Sequence, residues 1–188
     1  LFWLASEDHD FQEVKSVNIF QKKIEWNAEK KNGPVGRMSL EGIDDVVKQL
    51  KDILGLNYSR NKIVQVISDA YLNCDTLSSA TRYFLNEIFK KYGLVIIDGD
   101  DPVLKNKITS IIKKDLLHES FYGSLKRCSE ELSKIYHQQV KIRRNNFFLI
   151  SKDGERKYPI SKLKEKEIEE NPSFFSPNVI MRPIYQEM

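Results

Sequence analysis

The sequence predicts an α/β fold in which buried parallel strands alternate with helices. Two short apolar runs, residues 1–5 and 94–97, each stop at a group of acidic residues. Short apolar runs bounded in this way are typical of buried strands. The chain between them has helical periodicity, and buried strands separated by helices favour a parallel sheet.

Composition limits the class of protein. The chain has 188 residues, of which 40% are apolar, and this is enough for one domain with a real core. Charged residues make up 30%, but the formal net charge is only +3, which argues against a nucleic-acid partner. Cys74 and Cys128 lack a CxxC partner, so we expect no zinc and a reducing, cytoplasmic location. No apolar stretch approaches membrane-spanning length.

Residues 1–38 are predicted to hold a core strand followed by short extended segments. Apolar and polar residues alternate at 17–20 and again at 23–26, which predicts extended structure. After a turn that contains Gly and Pro, residues 36–39 are predicted to form another short strand.

Residues 39–92 are predicted to form a helical region. Apolar residues recur there every three or four positions, as on the buried face of a helix. Gly55 and Gly93 are placed as C-terminal caps of the first and the last helix. The apolar positions, including Phe84 and Phe89, are expected to face the core.

Residues 93–140 are predicted to contain the second core strand and long helices. Asp101 is a good helix N-cap, and Pro102 suits the first helical position. Further along, apolar residues between 121 and 135 alternate at spacings of four and three, which is typical of a coiled-coil seam or a long helix pair.

Residues 141–175 are predicted to leave the core as a β-hairpin and a surface helix. A strand at 147–150 is followed by an Asp-Gly turn, which is a strong hairpin signal. A charged helix capped by Ser161 is expected to end before Pro172. Residues 176–188 are predicted to return to the core.

Acidic residues at the ends of the two predicted strands form the candidate site. Ligands bind at the carboxyl ends of parallel strands because the loops there converge on a crevice. Carboxylate oxygens suit Mg²⁺, and they equally suit hydrogen bonds to an amine or hydroxyl substrate. The other interpretation is that these acids only solvate the loops and cap the following helices. The residues concerned are Glu7, Asp8, His9, Asp10, Asp98 and Asp101.

Two further groups could carry chemistry. His9 lies between two aspartates and could act as a general base oriented by a carboxylate. Asn178, Arg182 and Gln186 are four residues apart and could converge on a ligand from a loop and a first helical turn. Arg182 offers a bidentate fork for a carboxylate or phosphate, and a structural ion pair fits the sequence equally well. The GxxxxGK[ST], GxGxxG, GxSxG and HExxH signatures are absent.

Three blocks of the sequence carry a resemblance to a known family. They are residues 2–11 (FWLASEDHDF), 93–98 (GLVIID) and 176–186 (SPNVIMRPIYQ). In order and spacing these blocks resemble the bacillithiol-synthesis cysteine-adding enzymes, BshC. The resemblance implies a Rossmann-like core similar to that of class I aminoacyl-tRNA synthetases. It also implies a helical connecting insertion at 39–92 and a second excursion at 141–175.

The resemblance implies an activity as well. Members of that family add L-cysteine to glucosaminyl malate in the last step of bacillithiol synthesis, with activation by a nucleotide, taken to be ATP, and they form homodimers through a coiled coil. By this resemblance His9 and Asp10 are catalytic, and Asp98 and Asp101 bind the cofactor. The residues implied to bind substrate are Glu7, Asp8, Asn178, Arg182 and Gln186.

The ends of the chain led to a separate expectation. The chain starts inside a predicted strand without Met, so we expect an internal fragment of a longer protein. The family's Gly- and His-containing first strand and its C-terminal coiled coil have no counterpart here, and the piece is expected to be inactive alone. Two other functions fit the residues: a non-catalytic helical interaction module, or an α/β nucleotidyltransferase with a different acceptor.

Overall fold

The computed structural model describes residues 1–7, 10–29, 33–55, 58–138, 141–151, 154–158, 163–178 and 180–183. For residues 58–60 it describes the backbone alone. The chain divides into two compact units, residues 1–99 and residues 100–188.

The first unit contains the parallel strand pair that the sequence predicts. Its elements in chain order are Phe2–Leu4 (β1), Phe11–Val14 (α1), Ser16–Ile19 (β2), Lys22–Glu25 (β3), Ile43–Leu54 (α2), Tyr58–Asn73 (α3), Leu77–Phe89 (α4) and Ile96–Asp98 (β4). β1 pairs in parallel with β4, and Leu4 lies opposite Asp98. β2 and β3 form an antiparallel hairpin, which confirms the extended structure predicted there.

The core of this unit is organised around two aromatic side chains. The rings of Phe11 and Trp26 meet edge to face, with centroids 5.6 Å apart. The indole N–H of Trp26 donates to the carbonyl oxygen of Glu41 at 2.9 Å, so this large side chain is buried with its polar atom satisfied. Val35, Met38 and Ile43 complete the buried cluster.

The helices α2, α3 and α4 fall in the segment predicted to be a helical insertion. Gly55 follows α2 with φ 66°, and Gly93 follows a 3₁₀ turn after α4 with φ 71°, as expected for glycine caps. Thr76 caps α4 by accepting a hydrogen bond from the backbone N–H of Ser79 at 3.3 Å. Phe89 was expected to face inward, but it is 40% exposed because the helix ends at this residue.

The prediction of a strand at residues 36–39 is wrong. Val35–Arg37 is a 3₁₀ turn, and only Ser39 makes an isolated β-bridge, to Thr76. No strand forms here because two of the backbone N–H groups donate to carbonyls within the turn itself and are not available to a neighbouring strand. The N–H groups of Arg37 and Met38 donate to the carbonyls of Pro34 and Val35, and that of Gly36 donates to Ser6.

The second unit combines helices with an antiparallel sheet. Its elements are Pro102–Lys107 (α5), Thr109–Leu116 (α6), Tyr122–Ser133 (α7), Phe147–Ile150 (β5), Arg156–Lys157 (β6), Glu165–Glu170 (α8) and Phe175–Pro177 (β7). The strand order is β6-β5-β7, with both pairs antiparallel. The predicted hairpin is therefore present as β5 and β6, and β7 adds a strand from the segment predicted to return to the core. Asp153 of the predicted turn lies outside the described residues.

The helices of the second unit differ in detail from the prediction. The helix after Pro102 breaks at Ile108, whose φ of −93° and ψ of 10° leave the α-helical range. The charged helix begins only at Glu165 with Lys164 as its N-cap, and Ser161 lies outside the described residues. α7 has no buried residue, so its predicted apolar seam is uncovered. Across the described part of the chain, no helix is both long and apolar enough to cross a bilayer.

Candidate functional site

The carboxyl ends of β1 and β4 lie side by side in the first unit. The parallel register sets Leu4 opposite Asp98, and the N–H of Gly99 donates to the carbonyl oxygen of Leu4 at 3.1 Å. The residues that follow the two strands therefore emerge at the same edge of the sheet. This is the position at which α/β proteins bind ligands.

Ser6 and Asp98 are bonded directly across this edge. The Ser6 hydroxyl donates to Oδ1 of Asp98, and both residues are buried, at 5% and 9% exposure. On the other side of the carboxylate, Nη2 of Arg82 lies 4.0 Å from Oδ2. Arg82 also reaches the carbonyl oxygen of Ile96 at 3.5 Å. The Asp98 carboxylate is thus held in position by Ser6 in the loop after β1 and by Arg82 in α4.

Glu7 brings a second carboxylate to the same place. It is 2% exposed, although the sequence places it in a loop of charged residues. Its Oε1 lies 3.0 Å from the point where a Cβ on Gly99 would stand, and the Trp3 ring lies 2.9 Å from that point. Position 99 is therefore restricted to glycine by Glu7 and Trp3. The structure thus places Glu7 against Gly99, the residue that follows Asp98.

Gly36 supports the site by its close contact with Ser6. Its N–H donates to the carbonyl oxygen of Ser6 at 2.9 Å, and a Cβ at position 36 would lie 2.2 Å from the Cβ of Ser6. A side chain at this position would displace Ser6 from Asp98. A pocket of about 230 Å³ lies beside this contact, with Trp3, Ser78 and Thr81 among its lining residues.

Asp10 starts α1 as its N-cap. Its backbone N–H donates to the Glu13 carboxylate at 3.2 Å, and the N–H of Glu13 donates to the Asp10 carbonyl at 2.9 Å. This is the capping role that the sequence offered as the alternative to a catalytic one. Asp8 and His9, the other predicted site residues of this loop, lie outside the described residues. Their roles, and a catalytic role for Asp10, stay predictions.

In the second unit, Asp101 caps α5 as predicted. Its side chain accepts a hydrogen bond from the N–H of Val103 at 2.8 Å. One turn further along, Lys105 is fully buried, and its Nζ lies 2.6 Å from Oδ1 of Asp100. The same Nζ donates to Oγ of Ser176 at 3.0 Å. Nothing in the sequence around Lys105 distinguishes it from an exposed helix lysine, so its burial is not predictable from local patterns.

Asn178 belongs to a buried polar network. Its Oδ1 accepts from the backbone N–H groups of Ile180 and Met181, at 3.1 and 3.2 Å. Its Nδ2 donates to Oδ1 of Asn146 at 3.3 Å, and its backbone N–H donates to the Asn146 carbonyl at 2.8 Å. These contacts fix the turn that leads into Arg182. They leave the substrate-binding role predicted for Asn178 as a prediction.

Asp115 anchors the other end of that network. Its Oδ2 accepts from the backbone N–H of Asn146 at 2.5 Å, and its Oδ1 accepts from Nδ2 of Asn146 at 3.1 Å. Burial raises the pKa of the Asp115 carboxyl, and the hydrogen bonds from Asn146 oppose that shift. Arg182 is half-buried at the start of a helical segment, and Gln186 lies outside the described residues.

The sheet edge at which β1 and β4 end does not by itself fit the phosphates of a nucleotide. Glu7 and Asp98 present buried carboxylates at the sheet edge, and carboxylates repel phosphate unless a cation lies between them. Within the described ranges, no three His, Cys, Asp or Glu side chains are grouped to hold a metal ion. The space beside Gly99 is filled by Glu7 and Trp3, so it offers no backbone cradle. ATP and Mg²⁺ stay predictions for this chain.

Several residues of the site were missed by sequence reasoning. Ser6 adjoins the acidic cluster, and its position just after a strand was a usable signal. Gly36 was predicted only as the end of a turn and the start of a strand, although a glycine can also mark the close approach of two backbones. Arg82 carries no local signal, because its contact with Asp98 depends on the packing of α4 beside β4.

The parallel strands and the acidic residues at their carboxyl ends define a domain of the Rossmann-like α/β class. The chain belongs to the BshC family, since residues 1–188 match the family model described as "Bacillithiol biosynthesis BshC, N-terminal Rossmann-like domain". This match confirms the family and the fold that the three sequence blocks indicated.

Named relatives extend the comparison over the whole chain. The chain is 39% identical to a protein of Flavobacterium johnsoniae, 37% identical to one of Flavobacterium psychrophilum and 38% identical to one of Christiangramia forsetii. Each is named "Putative cysteine ligase BshC", and each match covers 100% of this chain and 38% of the relative. The chain therefore spans less than two fifths of the length of these relatives.

Proposed function

We propose that this domain is part of a ligase that adds L-cysteine to glucosaminyl malate in the last step of bacillithiol biosynthesis. The observation that carries the proposal is the family match over residues 1–188, together with relatives named as cysteine ligases. The activity belongs to the full-length protein. The proposal places that protein in the cytoplasm as a homodimer.

The geometry of the first unit supports an acceptor that carries amine and hydroxyl groups. Glu7 and Asp98 are buried carboxylates at one sheet edge, and carboxylates accept hydrogen bonds from ammonium and hydroxyl groups. Glucosaminyl malate has an amine and sugar hydroxyls. We therefore assign Glu7 to acceptor binding, and the Ser6–Asp98 pair to the wall beside it.

The reaction forms an amide bond between the carboxyl carbon of cysteine and the amine nitrogen of glucosaminyl malate. One carboxyl oxygen leaves with the activating group, and the amine loses a proton to a base. ATP, when bound, would supply the activation. His9 or Asp10 is the proposed base, and Arg182 and Asn178 are proposed to hold a carboxylate of a substrate.

The test is product formation by the purified full-length protein. The protein is incubated with cysteine, glucosaminyl malate, ATP and Mg²⁺, and the amide product is detected by mass spectrometry. The proposal predicts product that depends on all of these substrates. A different acceptor that outcompetes glucosaminyl malate would indicate another nucleotidyltransferase. No binding of any substrate would indicate the interaction module.

A further inference from the structure

Lys105 is fully buried in the second unit, and its contacts join two segments that are far apart in sequence. Its Nζ lies 2.6 Å from Oδ1 of Asp100, just before α5, and 3.0 Å from Oγ of Ser176 in β7. The Asp100 side chain is 10% exposed and Ser176 is 1% exposed, so the cluster is shielded from water. Neither the family match nor the relatives' names assign a role to this lysine.

Burial of this charged pair costs free energy, and packing alone does not require charged groups here. Taking an ammonium and a carboxylate out of water carries a desolvation penalty, and apolar residues of similar volume often replace such pairs without loss of stability. A buried pair does, however, fix the groups that it joins, because breaking it leaves an uncompensated charge. Lys105 therefore restrains the start of α5 relative to β7 more tightly than a methionine would.

The contacts of Lys105 are not consistent with a catalytic pair formed by Ser176 and Lys105. A lysine bonded to the Asp100 carboxylate is a hydrogen-bond donor toward Ser176, and it has no lone pair with which to accept a proton. The cluster must act on the site through the segments that it connects.

Those segments carry residues assigned to the ligand. Asp101 follows Asp100 and caps α5, while Asn178 follows Ser176 by two residues and fixes the turn before Arg182. We propose that Lys105 is a positioning residue, which locks the start of α5 to β7 and so holds Asn178 and Arg182 in place for substrate. This inference rests on the proposed function, since it needs glucosaminyl malate as the ligand.

The test measures binding and stability separately in the full-length protein. The double variant Lys105→Met, Asp100→Asn removes both charges, so no unpaired charge remains to unfold the chain. We expect its dissociation constant for glucosaminyl malate, measured by calorimetry, to rise at least about tenfold. We expect its thermal midpoint to stay within about 4 °C of wild type. Lys107→Met, an exposed lysine on the same helix, is the matched control and should bind within about twofold of wild type.

Ser176→Ala provides a second variant that keeps the ion pair and removes only its link to β7. We expect it to weaken binding by about fivefold or more. If the double variant folds and binds glucosaminyl malate as tightly as wild type does, the Lys105–Asp100 pair is purely structural and the inference is overturned. If the double variant does not fold, wild-type affinity of Ser176→Ala overturns it instead. Failure of the wild-type protein to bind glucosaminyl malate would reject the proposed function, and the inference about Lys105 would fall with it.

Discussion

Ser6 donates a hydrogen bond to the carboxylate of Asp98, 92 positions further along the chain. The contact exists because β1 and β4 pair in parallel and end at the same edge of their sheet. It ties the loop after β1 to the end of β4 in a buried environment. The position of the acidic candidate site depends on this pair.

Ser6→Ala should destabilise the full-length protein by about 1–3 kcal/mol, because it removes a buried hydrogen bond to a charged group. Urea unfolding measures the change in the free energy of unfolding. Ser133→Ala is the matched control, since Ser133 is exposed and bonds only a carbonyl of its own helix among the described contacts. Equal stability of the two variants would show that the Ser6–Asp98 bond contributes little.

Gly36→Ala should be destabilising by about 1–3 kcal/mol, because the new Cβ would overlap Ser6 and force the backbone apart. Gly123→Ala is its control, because apart from its own stretch of helix no atom lies within 4 Å of a Cβ at that position. Alanine there should stabilise the protein by about 0.5–1 kcal/mol. Thermal unfolding of both variants measures these opposite changes in stability. A stabilising effect of Gly36→Ala would contradict the close approach of Gly36 to Ser6.

Asp115→Ala should remove the acceptor for two buried N–H groups of Asn146. Each donor left without a partner costs about 1–3 kcal/mol, so the loss should exceed that of Ser6→Ala. Urea unfolding again gives the magnitude. A double-mutant cycle with Asn146→Ala should show strong coupling, and additive effects would mean that the two side chains act independently.

Glu25 should make the stability of the β2–β3 hairpin depend on pH. Hydrogen bonds from Lys15 and Lys23, at 2.8 and 2.9 Å, lower the pKa of Glu25 from 4.5 to about 2. A depressed folded-state pKa gives a contribution that is present above pH 4.5 and lost as the pH falls toward 2. The urea midpoint of wild type should fall more steeply than that of Glu25→Gln across this range. Parallel curves would show that the ion pairs do not persist in solution.

The fold was predictable where local patterns decide it. The acidic ends of β1 and β4, the Asp101 cap and the glycine caps at 55 and 93 all follow from short-range chemistry and were found where expected. The turn at residues 35–37 was not, because the N–H of Gly36 donates to Ser6, about 30 positions earlier in the chain, and no local pattern indicates that contact.

The candidate site was predictable only in part. Clustered acids indicated the strand ends, and the structure places Glu7 there against Gly99, next to Asp98. Burial was not readable from the sequence: Glu7, Lys105 and Asp115 are charged residues within polar stretches, yet each is at most 2% exposed. Their burial results from tertiary contacts, such as that between Lys105 and Ser176, which no spacing rule encodes.

The proposed site residues should be separable from residues that only stabilise the fold. Full-length variants Asp8→Ala, His9→Ala and Arg182→Ala are expected to lose cysteine addition while staying folded. Circular dichroism and thermal unfolding check the folded state, and mass spectrometry of the product checks activity. Normal product formation by all three variants would reject the site assignment.

The most direct test of the account is the bacillithiol content of cells that lack the full-length gene. The deletion should abolish the thiol, and wild type and the surface variant Glu25→Gln should restore it. His9→Ala and Glu7→Gln should restore less than about a tenth of it, because a base or a buried substrate contact would be missing. Normal thiol content in the deleted cells, or full rescue by both site variants, would contradict the account.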